Sequence, residues 1–327
     1  MIVETILVLG AAAVTGSVAE RIASARERQR LPMPGQLVTV GGTTLHATVR
    51  GERLGPRVPA IILDGGLTVG SLAWPGVVEA LGPSWLTVMI DRAGHNWSGP
   101  ARRRRDAAAA IADQRALLEA LGVAPPWLLV AHSYPGNIAR LHAQRYASDI
   151  VGFVLVETTP APLAADVVRS GFARAFGWKV PLAQLGLWRA WRAVGMRAPM
   201  PEAVTAATMI AAWARLSQSA KDLAATRAEL ATFTDVAAEA DAAPSPTQPA
   251  IVLASSRGAV AVPPGMTEAA AHDRALAAQR ALAARLNLVA FRITDVSDHE
   301  IPWNAPGLVA AAIVEVAARS MEGDGKA

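Results

Sequence analysis

Seven short apolar runs rich in β-branched residues punctuate the chain: Leu37 to Val40, Ala60 to Leu63, Leu86 to Ile90, Trp127 to Val130, Val151 to Val156, Ala250 to Leu253 and Leu288 to Ile293. Helical patterns such as Ala107 to Leu121 lie between them. Strands that alternate with helices imply a mostly parallel sheet covered by helices on both faces. At 327 residues the chain can bury a large core in one or two domains. The interval from Pro160 to Ala243 breaks the rhythm. It has no strand-like run, is rich in alanine and carries Trp178, Trp188, Trp191 and Trp213, which predicts a helical cap inserted between two strands. The stretch Ala243-Pro244-Ser245-Pro246-Thr247-Gln248-Pro249 reads as the exit linker back into the sheet. The expected division is an N-terminal segment at 1–30, a sheet-bearing core at 36–159 and 249–320, and a cap at 160–248. No repeat of solenoid length is visible.

The run Trp127-Leu128-Leu129-Val130 leads into Ala131-His132-Ser133-Tyr134-Pro135-Gly136, and a helical pattern follows from Ile138 to Tyr146. Ser133 therefore falls at a sharp turn between a buried strand and a helix. Such a turn lifts a hydroxyl out of the sheet beside the positive end of a helix, where main-chain N–H groups can stabilise an oxyanion. Taken alone, a serine in this place also reads as an ordinary helix N-cap. His299 changes the balance. It lies in Ser297-Asp298-His299-Glu300-Ile301-Pro302, after the last apolar run and before a final helical stretch from Pro306 to Ala318. A histidine on a strand-to-helix loop suits a general base, and the order serine then histidine points to nucleophilic catalysis.

With these pieces in place, residues 36 to 318 resemble the α/β-hydrolase family. Ile61-Ile62-Leu63-Asp64-Gly65-Gly66-Leu67 looks like its strand and oxyanion loop, with Gly65-Gly66 where the family usually has His-Gly. Asp91-Arg92-Ala93-Gly94-His95-Asn96-Trp97-Ser98 is close to the family's Asp-Arg-Pro-Gly-X-Gly-X-Ser turn, with Ala93 for proline and Asn96 for glycine. Ala131 to Gly136 resembles the nucleophile elbow, with Ala131 and Pro135 where glycines are usual. The His299 segment matches the closing Gly-His-X-X-Pro. The resemblance implies an α/β-hydrolase fold, with Ser133 as nucleophile, His299 as base and the main-chain N–H groups of Leu67 and Tyr134 as oxyanion donors.

The third member is less regular. After Ile251-Val252-Leu253-Ala254, where many family members carry the orienting acid, the chain reads Ser255-Ser256-Arg257-Gly258. Glu157, at the end of Val154-Leu155-Val156 one strand earlier, is the candidate, because the carboxyl ends of neighbouring parallel strands converge on one crevice. Its plainer role is to cap the following turn. Asp298 is a poor rival, since side chains of adjacent residues in an extended loop point apart; Asp295 stays open as an alternative. The expected chemistry is cleavage of a carboxylic ester or thioester through an acyl-enzyme, on a small acyl substrate of apolar character inferred from the tryptophans of the cap. The alternative is a catalytically silent fold used as a binding module at a membrane, suggested by Ala131, Pro135 and the displaced acid. Neither a metal nor an organic cofactor is expected: the six histidines show no ligand spacing and cysteine is absent.

Residues Ile2 to Ala19 are apolar apart from Glu4, and 18 helical residues span about 27 Å, close to a bilayer core. The expectation is an uncleaved single-pass anchor, with Arg21, Arg26, Arg28 and Arg30 holding the hydrolase on the cytoplasmic side. Cleavage after Ser17-Val18-Ala19, giving a secreted protein, is the alternative, though the basic n-region of a signal peptide is missing. Ala12 and Gly16 form a small-X-X-X-small pair that could pair two copies into a homodimer. The charge of +4 and pI near 10.1 are arginine effects. Arg102 to Arg105 form a block at the start of a helix, read either as a solvated terminus or as a contact for anionic headgroups. With no aromatics interleaved in that block and no recognition motif, no nucleic-acid role is expected.

Overall fold

The computed structural model describes residues 2–194, 215–257 and 261–323. Among these residues eight strands form one sheet: β1 (Gln36–Val40), β2 (Thr43–Arg50), β3 (Ala60–Asp64), β4 (Thr87–Asp91), β5 (Trp127–His132), β6 (Ile150–Val156), β7 (Pro249–Ser255) and β8 (Asn287–Thr294), in the order β1-β2-β4-β3-β5-β6-β7-β8. From β4 to β8 every pairing is parallel, and β1 and β2 add an antiparallel edge. The seven apolar runs are β1 and β3 to β8. The inner strands β3, β4 and β5 are buried at every position, which is why they read as unbroken apolar runs.

The strand that sequence reading missed is β2. Its buried positions include Thr43, His46 and Thr48, so no apolar run marks it. The His46 imidazole is satisfied in place, with Nδ1 2.7 Å from Asp91 Oδ2 and Nε2 donating to the Pro34 carbonyl. Gly41 and Gly42 between β1 and β2 both take positive φ, +55° and +76°. A two-residue Gly-Gly loop of this kind is a hairpin signal that could have revealed the strand.

Helices cover both faces. α2 (Pro75–Leu81) and the C-terminal α11 (Pro306–Gly323) pack Val77, Val309, Ile313 and Val316 against one side. α3 (Ala107–Ala120), α4 (Pro135–Arg145) and α10 (Glu268–Ala283) pack Leu117, Ala139, Ala143 and Leu282 against the other. The arginine block does not lie on α3. Asp106 caps that helix by accepting from the Ala109 N–H at 2.9 Å, so the arginines precede it. Arg103 and Arg105 both pair with Asp113, and Arg104 reaches Asp235 at 3.3 Å. These pairs commit much of the block's charge within the chain.

Between β6 and β7 the described residues hold helices and loops and no strand: α5 (Ala161–Arg169), α6 (Gly171–Gln184), α7 (Leu187–Ala193), α8 (Ala220–Leu230) and α9 (Phe233–Ala242). Trp213 and Gly258 lie outside the described residues. Val167, Phe176, Val180, Trp188, Leu223 and Phe233 of this excursion form one apolar cluster with Ile111 of α3 and Ile138 and Leu141 of α4.

The N-terminal helix α1 (Ile2–Arg30) is not independent of the rest. Its apolar first half stands clear of the protein, but its second half docks on α6 and α7. A Cβ on Gly16 would overlap the Leu185 carbonyl oxygen. Gly16 is thus engaged within the chain and not only available to a second copy. Arg189 grips Glu20 in a two-pronged contact (2.6 and 2.9 Å) and pairs with Glu27 at 2.6 Å.

Removing residues 2–15 should therefore leave Tm almost unchanged, whereas removing residues 2–30 should lower it and promote aggregation, because Arg189 and the Leu185 turn lose their cover. Arg189→Ala in the full chain should cost about 2 kcal/mol, less than the 3–5 typical of a fully buried pair because the guanidinium is partly exposed. Thermal and urea unfolding of the variants side by side measures both effects.

Candidate functional site

The carboxyl ends of β3, β4, β5 and β6 carry the candidate site, and their backbone is unusual in the same places. Among the described residues the non-glycine residues with positive φ are Thr68 (+68°), Asn96 (+42°), Ser133 (+63°) and Glu157 (+46°). Each follows one of those strands. Left-handed conformations at residues with a Cβ cost free energy and persist where surrounding contacts hold them. Asn96 stands where the resembled turn has glycine, and asparagine is among the residues that tolerate this region best.

Ser133 leaves β5 with its N–H donating to the Val156 carbonyl (2.9 Å), and Pro135 then opens α4 in the first turn, where a missing N–H costs no bond. Crowding at the elbow falls on Gly136, where a Cβ would overlap the Thr158 side chain. That explains how Ala131 and Pro135 fit while Gly136 is glycine. The Ser133 hydroxyl is buried and lies 3.3 Å from Thr159 Oγ1. Tyr134 is the N-cap residue of α4, so its N–H has no intrahelical acceptor. The glycine loop comes close: a Cβ on Gly66 would lie 3.2 Å from His132 Nδ1 and 3.4 Å from Ser133 Cβ. Leu67 follows on that loop.

His299 reaches the same place from the far end of the chain. Its ring centroid is 4.7 Å from that of His132, and His132 Nε2 donates to the His299 carbonyl at 2.9 Å. Its Nδ1 is 3.3 Å from Glu157 Oε2, while Glu157 Oε1 accepts the Ser255 N–H at 2.7 Å. One carboxylate thus bridges β7 and the histidine loop. Burial pushes the His299 pKa down, but the Glu157 hydrogen bond and the charges of Glu300, Glu157 and Asp298 outweigh it and hold the pKa above the ordinary value. His132 goes the other way: burial, then the neighbouring His299 charge, keeps it neutral. Asp295 and Asp298 are exposed, and Asp298 accepts from the Glu300 N–H at 3.0 Å. The geometry therefore brings Ser133, His299 and Glu157 to one edge and leaves Asp295 outside.

Sequence reading missed what holds the glycine loop. The Arg92 guanidinium donates to Asp64, to the Gly65 carbonyl (2.6 Å), to the Gly66 carbonyl (3.4 Å) and, through a fork, to both oxygens of Glu229 (2.8 and 3.0 Å). Glu229 belongs to α8 of the excursion, as do two more partners of this region. Asp222 accepts the Asn96 N–H at 2.8 Å, and Lys221 donates to the carbonyls of Gly94, Asn96 and Ser98 at 2.8–2.9 Å. A Cβ on Gly94 would overlap Ala225 of the same helix. His95 Nε2 lies 3.1 Å from Glu229 Oε2. Asp222 and Glu229 are seven residues apart, so one face of α8 aims carboxylates into the protein. That spacing was visible in the sequence. Among the described residues no group of acidic residues and histidines is arranged to hold a metal ion.

Comparison with known proteins agrees with this architecture. A family model of the α/β-hydrolase fold matches residues 59–185. A probable transporter of Hormonema carpetanum, efuK, is 36% identical over 126 residues, which are 37% of this chain and 18% of that protein. The chain spans less than half the length of the curated relatives it matches. The enol-lactonase from Burkholderia xenovorans LB400 superposes with a TM-score of 0.60 at 19% identity, covering 86% of this chain and all of the other. A thermophilic esterase from Thermogutta terrifontis superposes at 0.63 with 20% identity, covering 88% of this chain and all of the other. At such identities the likeness is one of fold.

Two outcomes follow from the geometry. If neutral His299 is the working base, its raised pKa places the acid limb of kcat/KM above about 6.5. Glu157→Gln should lower turnover by orders of magnitude and move that limb to lower pH, since the main group holding the proton on is gone. Asp295→Asn should change neither; a pH profile in which the two substitutions trade effects would reassign the acid. Arg92→Lys keeps the charge but loses the fork that binds Gly65, Gly66 and Glu229, and should lower kcat about tenfold to hundredfold with little change in KM.

Proposed function

The chain has the α/β-hydrolase fold, and from that premise we propose that it is a serine hydrolase that cleaves carboxylic esters or thioesters through an acyl-enzyme. The observation that carries this reading is the His299 Nδ1 to Glu157 Oε2 contact beside a serine held at positive φ between a strand and a helix. In the proposed cycle the Ser133 hydroxyl rotates from Thr159 towards His299. Its Oγ attacks the acyl carbon as His299 Nε2 takes the proton. Glu157 fixes the Nδ1–H tautomer and stabilises the imidazolium. The main-chain N–H groups of Leu67 and Tyr134 receive the oxyanion. Collapse of the tetrahedral adduct expels the alkoxide or thiolate, which takes the proton from His299. Water then attacks the acyl-serine, gives its proton to the same nitrogen, and restores Ser133.

A preference for apolar substrates is supported by the surroundings of the elbow. Tyr134 belongs to the same apolar cluster as Val167, Phe176 and Phe233 of the excursion, and Leu67 packs against it. Tethering to a membrane is supported by α1, which over Glu4–Arg30 is long and apolar enough to cross one, with 6% of its most apolar window buried.

A fluorophosphonate should label the folded wild-type chain at Ser133, mapped by peptide mass spectrometry. Ser133→Ala should abolish labelling and ester hydrolysis with Tm unchanged, because the hydroxyl makes one long hydrogen bond. Folded protein that resists the label would instead favour the silent binding module.

A further inference from the structure

The two halves of α1 meet different surroundings. Ile6, Leu7, Val8 and Leu9 are each 62–67% exposed. Four consecutive helical residues point in all directions, so this end is bare all round. From Val14 onward the exposed large apolar residues form one row, Val14, Val18 and Ile22, at i, i+4 and i+8. The opposite side is taken by the Leu185 turn and by Arg189. The free part of the helix, residues 2 to 15, is about 21 Å long. A hydrocarbon core is about 30 Å thick. A helix that crosses it must therefore be immersed for about six residues more, to the level of Arg21. At that level α1 stands beside α7 of the excursion.

The surface of α7 has a matching row. Leu187, Trp191 and Val194 lie at i, i+4 and i+7 and are 53%, 39% and 82% exposed. Trp178 of α6, also exposed, joins Trp188 and Trp191 in a cluster with ring centroids 5.1–5.7 Å apart. Lys179 sits 5.3–5.9 Å over the rings of Phe176, Trp178 and Trp188. Glu20, the carboxylate at this depth, is turned inward and paired with Arg189, and the exposed Arg21 falls at the end of the immersed length, where its stem can lie in the apolar layer while its guanidinium reaches the headgroups. Tryptophan with a flanking cation is the side-chain pattern of a membrane interface, where one rim of the ring is apolar and the other wet.

We propose that this face of the excursion, Trp178, Leu187, Trp191 and Val194, rests in the interface of a lipid bilayer alongside α1, so that the protein docks by its cap as well as by its anchor. The inference rests on the membrane reading of α1 and is independent of the chemistry assigned to Ser133. It makes the excursion a peripheral membrane surface held at fixed depth by the Arg189 contacts.

Tryptophan fluorescence tests it, because α1 contains no tryptophan and insertion of the anchor alone quenches nothing. The full-length chain is reconstituted in vesicles of phosphatidylcholine, or of dibromophosphatidylcholine brominated near the headgroup. The expected result is quenching by the brominated lipid that is largely lost in W178F/W191F, while both proteins float with the vesicles. Flotation without quenching would overturn the cap contact and leave the anchor standing. Quenching equal in wild type and double variant would place the contact elsewhere and also overturn it. So would absence of quenching together with a wild-type dimer that the double variant converts to monomer, since a second copy would then cover the face. Failure to float would remove the membrane reading itself.

Discussion

One buried guanidinium joins the three parts of the molecule on which a reaction at Ser133 would depend. Arg92 touches the end of the sheet through Asp64, the glycine loop through the Gly65 and Gly66 carbonyls, and the helical excursion through Glu229. These groups are buried, with Lys221 of the same cluster partly exposed at its edge, so the cluster must largely balance its own charge. Its cations are Arg92, His95 and Lys221, and its anions are Asp64, Asp222 and Glu229. The balance is uneven in detail. Glu229 receives the fork and His95, which outweigh burial and hold it well below the usual carboxylate range. Asp64 has the single contact, and burial pushes it up to about 6. The excursion is thus the stronger partner of Arg92, and the loop beside Ser133 is set by a helix that begins 128 residues after Arg92.

Backbone strain follows the same geography. Four strands end side by side; β5 and β6 turn out of the sheet directly through residues with positive φ, Ser133 and Glu157, and the loops after β3 and β4 carry theirs a few residues on, at Thr68 and Asn96. A sheet whose strands stopped in relaxed turns would aim these side chains along its edge. The sharp turns instead direct Ser133 and Glu157 into the space where the His299 loop arrives. What holds the strain is visible in the hydrogen bonds: Ser133 N–H to the Val156 carbonyl, Glu157 N–H to the Leu253 carbonyl, and Glu157 Oε1 to the Ser255 N–H. Each bond runs to the next strand across, so the parallel register itself fixes the spacing of nucleophile and acid.

How much of this was legible in the sequence depended on whether the signal was local. The inner strands were legible because burial on both faces demands apolar residues in succession. The elbow was legible because Trp127 to Gly136 holds strand, turn and helix start within ten residues. Glu157 and His299 were singled out by rank order along strands that the pattern had already located. β2 escaped because its buried positions mix Leu45 and Ala47 with Thr43, His46 and Thr48, whose polar groups are satisfied in part by Asp91, 45 residues along the chain, so no apolar run forms. The grip of α8 on the Asp91 to Ser98 turn escaped for the same reason. Lys221, Asp222 and Glu229 look like ordinary surface charges of an alanine-rich helix until their partners, 123 to 137 positions away, are known. The N-terminal helix read as a free anchor because its docking surface is a glycine and two glutamates, not an apolar stripe.

The excursion therefore has two jobs that pull on the same helices. Through α8 it fixes the turn after β4 and, by Arg92, the glycine loop; through α6 and α7 it holds the second half of α1. Both attachments are ionic, partly or wholly buried, and directional, so neither tolerates sliding as an apolar contact would. A helix anchored in a bilayer fixes depth but leaves rotation about its own axis open. The Arg189 fork to Glu20 and the second contact to Glu27, seven residues along the same face of α1, remove that freedom. Orientation of the sheet edge bearing Ser133 relative to the axis of α1 is then set by two short ionic links in series, with α6, α7 and α8 as the rigid body between them. The apolar cluster of Val167, Phe176, Val180, Leu223 and Phe233 makes that body rigid.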